Sequence, residues 1–207
     1  MAARTSDPIV WIDCEMTGLD FVNDALIEVA VIVTDSELTP VAPGLDVVIA
    51  PPEGAVERMN DVVREMHTLS GLLEELPDGV TMAEAADQVL DYLREFVPEA
   101  GKAPLAGNSV GTDKVFLDRD MPAVIEHLHY RIIDVSSIKE LARRWYPRAY
   151  YASPKKNGGH RALADIAESI DELRYYRAAL FPHGDGPASA DLRKQAQMIS
   201  QSATPAS

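Results

Sequence analysis

The sequence is poor in cysteine and in long apolar runs. Cys14 is the one cysteine among 207 residues, so an intrachain disulfide is impossible and a reducing cytoplasm is the predicted location. No segment approaches the roughly 20 consecutive apolar residues of a membrane-spanning helix. Residues 1–8 are not followed by an apolar signal-peptide segment. These absences argue against a disulfide-rich secreted domain and against an integral membrane protein.

Positive charge is also scarce, since 19 Lys and Arg residues stand against 33 Asp and Glu residues, for a formal net charge of −14. Counterion release from basic contacts normally drives binding to long nucleic acids, so this charge argues against a general binder of DNA or duplex RNA. It does not exclude a short phosphorylated ligand held through metal ions. Residues 139–161 differ, with seven cations and one anion, Glu140. They form either a solvated helix face with a loop or a local binding zone for phosphate.

The residue patterns predict one mixed α/β domain over residues 1–181. Strands are predicted from Ile9 and at 25–34, 45–50, 103–107 and 131–134, and helices at 55–67, from Thr81 until Pro98, at 113–128 with an interruption at Pro122, at 136–145 and at 161–180. Short links between the first three strands indicate an antiparallel meander within a mixed five-stranded sheet flanked by helices. The composition of residues 182–207 predicts a disordered tail, with a marginal helix at 190–199 as the alternative.

Two carboxylates stand near the end of the first predicted strand, in Trp11-Ile12-Asp13-Cys14-Glu15. Alternate residues of a strand project to the same face, so Asp13 and Glu15 are predicted to lie side by side. Cys14 is then predicted to point the other way, as a small apolar residue. Adjacent anions at the end of an apolar strand repel each other and lose hydration, so the arrangement needs a compensating cation.

Two further acids and a histidine accompany this pair. Asp113 lies near the start of a predicted helix, where a carboxylate can also serve only to stabilise the helix dipole. Asp165 lies one turn into the last predicted helix, and His160 precedes it, directly after Gly158-Gly159. Positions five apart on one helix diverge by about 140°, so His160 and Asp165 can share a site only if His160 lies on the loop. The alternative for His160 is an exposed loop histidine without a site.

Together the four acids have the chemistry of a divalent-metal site. Carboxylates without further cysteines or several histidines suit Mg²⁺ or Mn²⁺ and not structural zinc. Two such ions about 4 Å apart can stabilise the attacking and leaving oxygens of a phosphoryl displacement. A single histidine at the rim could then take the proton from the attacking water.

These motifs and their order resemble the DEDDh 3′-to-5′ exonucleases. The matching segments are Asp13-Cys14-Glu15-Met16-Thr17-Gly18-Leu19, Gly107-Asn108-Ser109, Asp113, His129-Tyr130-Arg131, Leu141-Ala142-Arg143-Arg144-Trp145, and His160 with Asp165 after four intervening residues. The resemblance covers residues 9–180. It implies a ribonuclease H-like fold, in agreement with the predicted meander, and release of 5′-mononucleotides from the 3′ end of an RNA.

The resemblance also implies residue roles. Asp13, Glu15, Asp113 and Asp165 would hold two divalent ions, with Asp13 bridging them, and His160 would be the general base. The positions that match substrate contacts are Met16, Thr17, Leu19, His67, Asn108, Ser109, His129, Tyr130 and Arg131. Leu19 would abut the 3′-terminal bases. Ser109 and the segment His129–Arg131 would cap the 5′ phosphate, with Tyr130 and some neighbours supplied by the second subunit of a homodimer.

One position departs from the family pattern. Family members often carry a tryptophan in the helix before His67, and the aligned residue here is Val62. Base stacking is then either weaker, or another residue supplies the aromatic side of the pocket.

The resulting hypothesis is an enzyme that degrades oligoribonucleotides of two to a few nucleotides. A pocket that closes over a 5′ phosphate needs no groove for a long polyanion, so neither long duplexes nor membranes are expected partners. Two other hypotheses remain open. One is a proofreading-type DEDDh exonuclease that trims longer single strands. The other is a non-catalytic, metal-dependent nucleotide-binding dimer, which would have no use for a positioned His160.

Overall fold

A mixed five-stranded sheet forms the centre of the computed structural model, which describes residues 7–155 and 159–202. Its strands are β1 (Ile9–Met16), β2 (Leu26–Thr34), β3 (Leu45–Val48), β4 (Pro104–Gly107) and β5 (His129–Asp134), in the order β3-β2-β1-β4-β5. The pairs β1–β2 and β2–β3 are antiparallel, whereas β4 runs parallel to both β1 and β5. The predicted meander and mixed sheet are confirmed.

Helices flank the sheet. They are α1 (Ala55–Arg58), α2 (Asp61–Leu69), α3 (Leu72–Glu75), α4 (Met82–Phe96), α5 (Gly111–Asp120), α6 (Pro122–His127), α7 (Val135–Trp145), α8 (Pro147–Tyr151), α9 (Ala162–Leu180) and α10 (Ser189–Ser202), with a 3₁₀ turn at Leu76–Asp78. The predicted helices α4, α7 and α9 are confirmed. Pro122 begins α6, separate from α5, because proline does not continue a helix. The short helices α3 and α8 have no counterpart among the predicted elements.

The segment predicted as one helix at 55–67 is two helices. Met59 interrupts it with an extended backbone (φ −54°, ψ 133°). Asn60 then begins α2, because its side chain accepts the backbone N–H of Val63 at 3.0 Å. Asparagine is among the preferred residues for this capping role. The prediction of a single helix was wrong because it overlooked this cap.

Strand β1 divides the core into two layers. Ile12 and Cys14 pack into an apolar cluster that includes α4, whereas Trp11 faces the cluster built around α9. The Trp11 indole N–H donates to Thr34 Oγ1 at 3.0 Å, so its polar group is satisfied within the core. The prediction that Cys14 points into the core is confirmed. Asp13 and Glu15 therefore project from the α9 side of the sheet.

Helix α4 begins with a capping box. The Thr81 hydroxyl accepts the backbone N–H of Glu84 at 3.2 Å, and the Glu84 carboxylate accepts the backbone N–H of Thr81 at 2.9 Å. Ala85, Val89 and Leu93 form its buried face. Burial of a valine or leucine side chain contributes about 1.5–3 kcal/mol, so this face holds α4 against the sheet.

The chain after α9 continues into α10, whose described side chains are all exposed. This helix covers the segment 190–199, which the sequence left open as a marginal helix. The domain boundary at residue 181 and the disorder of the tail stay predictions. Within residues 7–155 and 159–202, no helix combines the length and apolar character needed to cross a membrane.

Candidate active site

Glu15 is the penultimate residue of β1 and lies beside the antiparallel strand β2. The register places it opposite Glu28, so two carboxylates are neighbours across the sheet. Glu15 is 8% exposed, and burial raises its pKa to about 8, with the charge of Glu28 as the next contribution. Asp13 lies two residues earlier on the same face. Ionisation of Glu15 is therefore costly in this environment, and a bound cation would offset that cost.

Asp113 approaches the same region from α5. Its Oδ1 accepts the backbone N–H of Cys14 at 3.1 Å, which ties the start of the helix to the residue between the two β1 acids. Burial raises the pKa of Asp113 to about 7, against the lowering effect of its backbone hydrogen bonds. The charges of Asp165 and Asp113 both raise the pKa of Glu15, so both acids lie within electrostatic range of Glu15.

His160 and Asp165 complete the cluster at the start of α9. Potential ligand atoms of Glu15, His160 and Asp165 all lie within 4.8 Å of one another. His160 lies on the loop before α9, as predicted, with a left-handed backbone (φ 47°) that few non-glycine residues adopt. Gly158 of the predicted glycine pair lies outside the described residues. The structure thus brings the first and last sequence motifs together.

The donors fit a hard divalent cation. Carboxylate oxygens with one imidazole are ligands that Mg²⁺ and Mn²⁺ accept. Raised pKa values at Glu15 and Asp113 identify a place where negative charge lacks compensation. Arg161 lowers the pKa of Glu15, but its guanidinium is already bound by the carboxylates of Glu28 and Glu75. A metal ion would supply the remaining positive charge.

A tight turn follows β1 and presents Leu19. The Thr17 hydroxyl donates to Asp24 Oδ1 at 3.1 Å and accepts the backbone N–H of Ala25 at 2.9 Å. A Cβ at Gly18 would lie 2.3 Å from Asp24 Oδ2, so a larger residue there would displace the carboxylate that holds the turn. Leu19 is 70% exposed at the tip, where a substrate base could reach it. The Thr17 side chain, in contrast, is fully engaged in the turn.

His67 lies beneath the acids. It is fully buried, and its Nε2 donates to the Met16 carbonyl oxygen at 2.9 Å. Its Nδ1 lies 3.9 Å from Glu15 Oε2 and has no hydrogen-bond partner. Burial lowers the pKa of His67. The Met16 side chain is also buried in the core. Both residues support the end of β1, and their contact with substrate stays a prediction, as does that of Thr17.

Asn108 and Ser109 follow β4. The Asn108 amide donates to Ser169 Oγ at 2.9 Å and to Glu172 Oε2 at 3.0 Å, which ties the end of β4 to α9. Ser109 has a left-handed backbone (φ 55°), and its N–H donates to Asp134 Oδ1 at 3.0 Å. The residue is exposed, so its hydroxyl can meet a ligand.

The segment His129–Arg131 begins β5, at the end of the sheet away from the acids. The register pairs the start of β5 with Pro104, the first residue of β4, and its last residue, Asp134, with Gly107. Strands β1 and β4 are parallel, and the acids lie at the carboxyl ends of both strands. Within one chain, the structure therefore does not bring His129–Arg131 to the candidate metal ligands.

The side chains of this segment form an exposed stack. The rings of His129 and Tyr130 stack with centroids 4.4 Å apart, and the Arg131 guanidinium lies over the Tyr130 ring at 5.5 Å. Tyr130 is 78% exposed. An aromatic ring flanked by a cation is suited to contact a nucleotide or another protein surface.

Val62 lines a pocket of about 370 Å³ that adjoins His160. The pocket is lined by Val62, Glu65, Met66, Leu69, Ser70, Gly159 and His160. Val62 is 76% exposed. Among the described residues of this lining there is no Phe, Tyr or Trp, so no other side chain of the same pocket replaces the tryptophan that family members often carry.

Several cations of the segment 139–161 are paired within the chain. Arg143 and Arg144 bind Glu140, Lys139 binds Glu172, and Arg161 binds Glu28 and Glu75. Arg148 and Lys155 are exposed, and Lys156 lies outside the described residues. The interpretation as a charged helix face accounts for the pairs on α7.

Glu28 is a further buried acid with no counterpart among the sequence predictions. It is fully buried in β2, opposite Glu15, and its Oε1 binds the Nε of Arg161 at 2.7 Å. The available signal was a lone charge in an otherwise apolar strand. A buried charge of this kind requires a partner, and the partner lies 133 residues away in the sequence.

Known proteins are similar to this sequence over most of its length. The RNase_T family model, described as an exonuclease, matches residues 10–173. The oligoribonuclease of Streptomyces griseus is 62% identical over 200 residues, which cover 97% of this chain and 100% of the relative. The chain belongs to the oligoribonuclease family of exonucleases. The oligoribonuclease of Streptomyces coelicolor is 66% identical over 188 residues, covering 91% of this chain and 94% of the relative.

Solved structures with low sequence identity share the fold of this oligoribonuclease family member. Exonuclease I from Methylocaldum szegediense has a TM-score of 0.64 over 84% of the chain, at 17% identity. A zinc-bound complex of E. coli Exonuclease I with single-stranded DNA has a TM-score of 0.63 over 84% of the chain, at 14% identity. The chain spans 41% of each of those proteins. The ribonuclease H-like fold is confirmed.

Proposed function

We propose that this 3′-to-5′ exoribonuclease degrades very short oligoribonucleotides, especially dinucleotides, to 5′-mononucleotides, with two Mg²⁺ or Mn²⁺ ions. The observation that carries the proposal is the meeting of Glu15, Asp165 and His160 within 4.8 Å, in a protein whose relatives are oligoribonucleases. A cytoplasmic location, inferred from the single cysteine, belongs to the same proposal.

The acids hold the ions in this proposal. Asp13 and Glu15 come from one strand, Asp113 from α5 and Asp165 from α9, so three separate elements fix the ligand positions. Asp13 would be a ligand of both ions. When bound, the ions would stabilise the charge on the attacking and leaving oxygens. The hydrogen bond from the Cys14 N–H to Asp113 Oδ1 holds this carboxylate beside the two acids of β1.

His160 acts as the general base. Its side chain is exposed on a loop, so the imidazole can approach a water molecule from the solvent side while the acids stay fixed on strands and helices. A ring nitrogen of His160 lies within 4.8 Å of carboxylate oxygens of Glu15 and Asp165, where such a water would be held. Deprotonation of that water would give the hydroxide that attacks the phosphorus. The P–O3′ bond then breaks, and the leaving 3′ oxygen takes a proton from solvent.

Charge and shape favour a short substrate. The body of the protein carries a net charge of −14, which repels a long polyanion, and the cations near the site are few. The exposed Leu19 at the tip of the turn supplies an apolar surface against the 3′-terminal bases. A dinucleotide needs no contact beyond the site itself.

A 5′-phosphorylated dinucleotide should therefore be hydrolysed about tenfold faster or more than a twenty-nucleotide RNA, since each tenfold corresponds to about 1.4 kcal/mol of lost binding. The measurement is kcat/KM for both RNAs at low and moderate salt, with a 5′-hydroxyl dinucleotide as the control for the phosphate. Comparable rates for the two lengths would contradict the proposal and favour a proofreading-type exonuclease.

A homodimer completes the site in this proposal. Tyr130 lies about 13 Å along β5 from Asp134, at about 3.3 Å per residue, and so lies toward the end of the sheet away from the acids of its own chain. β5 is an edge strand, and Tyr130 and Ile132 are both exposed on it. Apolar side chains exposed together on an edge strand favour contact with another copy. The second subunit would then deliver Tyr130 and Arg131 to the 5′ phosphate.

Ile132→Asp should weaken dimerisation by roughly 30-fold, because a charge in a contact of this kind costs about 2 kcal/mol or more. Sedimentation velocity measures the dimer, and dinucleotide turnover should fall with it while the acids still bind metal. Val41→Asp, a second exposed apolar position, is the matched control. A monomeric wild-type protein with full activity would refute the dimer.

A further inference from the structure

The guanidinium of Arg161 is hydrogen-bonded to carboxylates from two separate parts of the fold, and Asp46 on β3 forms a longer ion pair with it at 3.9 Å. Its Nε donates to Glu28 Oε1 on β2 at 2.7 Å. Its two terminal nitrogens donate to the two oxygens of Glu75 on α3, at 2.8 and 2.9 Å. A bidentate pair of this kind fixes both the position and the plane of the guanidinium. Arg161 directly follows His160, so the contacts hold the loop that carries the histidine.

Glu28 also holds the beginning of α9. Its Oε2 accepts the backbone N–H of Ala162, the first residue of the helix, at 3.0 Å. That N–H has no partner within a helix, and a carboxylate at this end is favourable to the helix dipole. One fully buried carboxylate therefore fixes the side chain of Arg161 and the backbone of the residue after it.

The same contacts fix the positions of two functional residues near Arg161 in the sequence, His160 before it and Asp165 one helical turn after it. The Arg161 carbonyl oxygen accepts the backbone N–H of Asp165 at 3.0 Å, so its placement begins the helical turn that carries this acid. On the other side, His160 has a left-handed backbone, which is strained for an L-residue and persists only where the surroundings hold it.

We propose that Glu28, Arg161 and Glu75 form a clamp that positions the imidazole of His160 over the metal-binding acids. Arg161 and its two partners are positioning residues, since they act through His160. Glu75 is 47% exposed, and an ion pair this exposed contributes little stability, so its effect is mainly on geometry. The inference rests on the proposed role of His160 as the general base.

Glu75→Ala tests the clamp without touching the acids. Loss of the bidentate pair frees the guanidinium to rotate about its contact with Glu28, so kcat for a 5′-phosphorylated dinucleotide should fall roughly tenfold, below the 10²-fold that a 1 Å misplacement can cost. KM and Mn²⁺ affinity should stay unchanged, because Glu28 still holds the backbone of Ala162 and with it the turn that carries Asp165. Glu75→Gln keeps one acceptor oxygen and should lie between. Glu74→Ala, an exposed acid on the same helix, removes the same charge and should be silent.

The decisive measurement is a double-mutant cycle with His160→Ala. If the clamp acts through the imidazole, Glu75→Ala should cause no further loss in the His160→Ala background, because the group it positions is gone. The same tenfold loss in both backgrounds would overturn the clamp and assign Glu75 to the acids or to general structure. An unchanged kcat for Glu75→Ala alone would also overturn it. Full activity of His160→Ala would instead contradict the proposed base.

Discussion

His160→Ala should lower turnover of a 5′-phosphorylated dinucleotide by about 10²-fold or more, the scale of general-base catalysis. The imidazole is exposed on its loop and close to Glu15 and Asp165, so its removal takes away a proton acceptor and leaves the carboxylates in place. Single-turnover kinetics at saturating metal would measure the loss. Calorimetry should show that Mn²⁺ and the dinucleotide still bind.

The control for this variant is His183→Ala, since His183 is exposed and lies beyond α9, outside the site. Two results would contradict the assigned role of His160. Unchanged turnover would show that no proton passes through it. A loss of Mn²⁺ affinity in parallel with turnover would show that the ring is a metal ligand, which its distance from the acids also permits.

Asp113→Asn should abolish most activity, by on the order of 10³-fold, because metal stabilisation of a phosphoryl displacement is worth several kcal/mol. The asparagine oxygen can still accept the backbone N–H of Cys14, so the contact between α5 and β1 is kept. The variant should therefore fold normally while binding divalent ions much more weakly. Titration with Mn²⁺ and dinucleotide kinetics measure the two effects.

Asp113 should also make the free energy of unfolding of the metal-free protein depend on pH. Burial raises the pKa of Asp113 to about 7, so the folded chain keeps a proton that the unfolded chain releases near pH 4. The free energy of unfolding of the metal-free protein should consequently fall as the pH rises from about 4 to about 7. Asp113→Asn should weaken that decline.

The matched control for Asp113→Asn is Asp118→Asn on the same helix, where the acid is exposed and pairs with Lys114. It should leave activity, metal affinity and the pH dependence of unfolding unchanged. Wild-type metal affinity in Asp113→Asn would contradict the assignment of Asp113 as a ligand.

The opening strand was predictable because its pattern is local. Alternation alone placed Asp13 and Glu15 on one face and Cys14 on the other, and the structure agrees. The capping box at Thr81 is equally local, since both partners lie within one turn of α4. The loop position of His160 followed from helix geometry, because it could not share a helix with Asp165 and still face the same site.

The support beneath the site was not predictable in this way. Glu28 lies opposite Glu15 only because of the register between β1 and β2. The ion-pair partner of Glu28, Arg161, is distant in the sequence. His67 is buried against Met16 and Glu15 because α2 packs beneath the end of β1, which the sequence pattern of α2 does not reveal. Long-range packing determines these contacts.

Cys14 lies between two acids proposed as metal ligands, yet its sulfur points into the core. Burial raises the pKa of the thiol well above its ordinary value, and the charges of Asp113 and Asp13 raise it further, so the sulfur keeps its proton. Thiolates, and not thiols, bind soft ions such as copper(I) and compete for zinc. The pleat of β1 therefore keeps soft metals from gaining a sulfur ligand at a site suited to hard ones, and a slip of one residue in its register would end that discrimination.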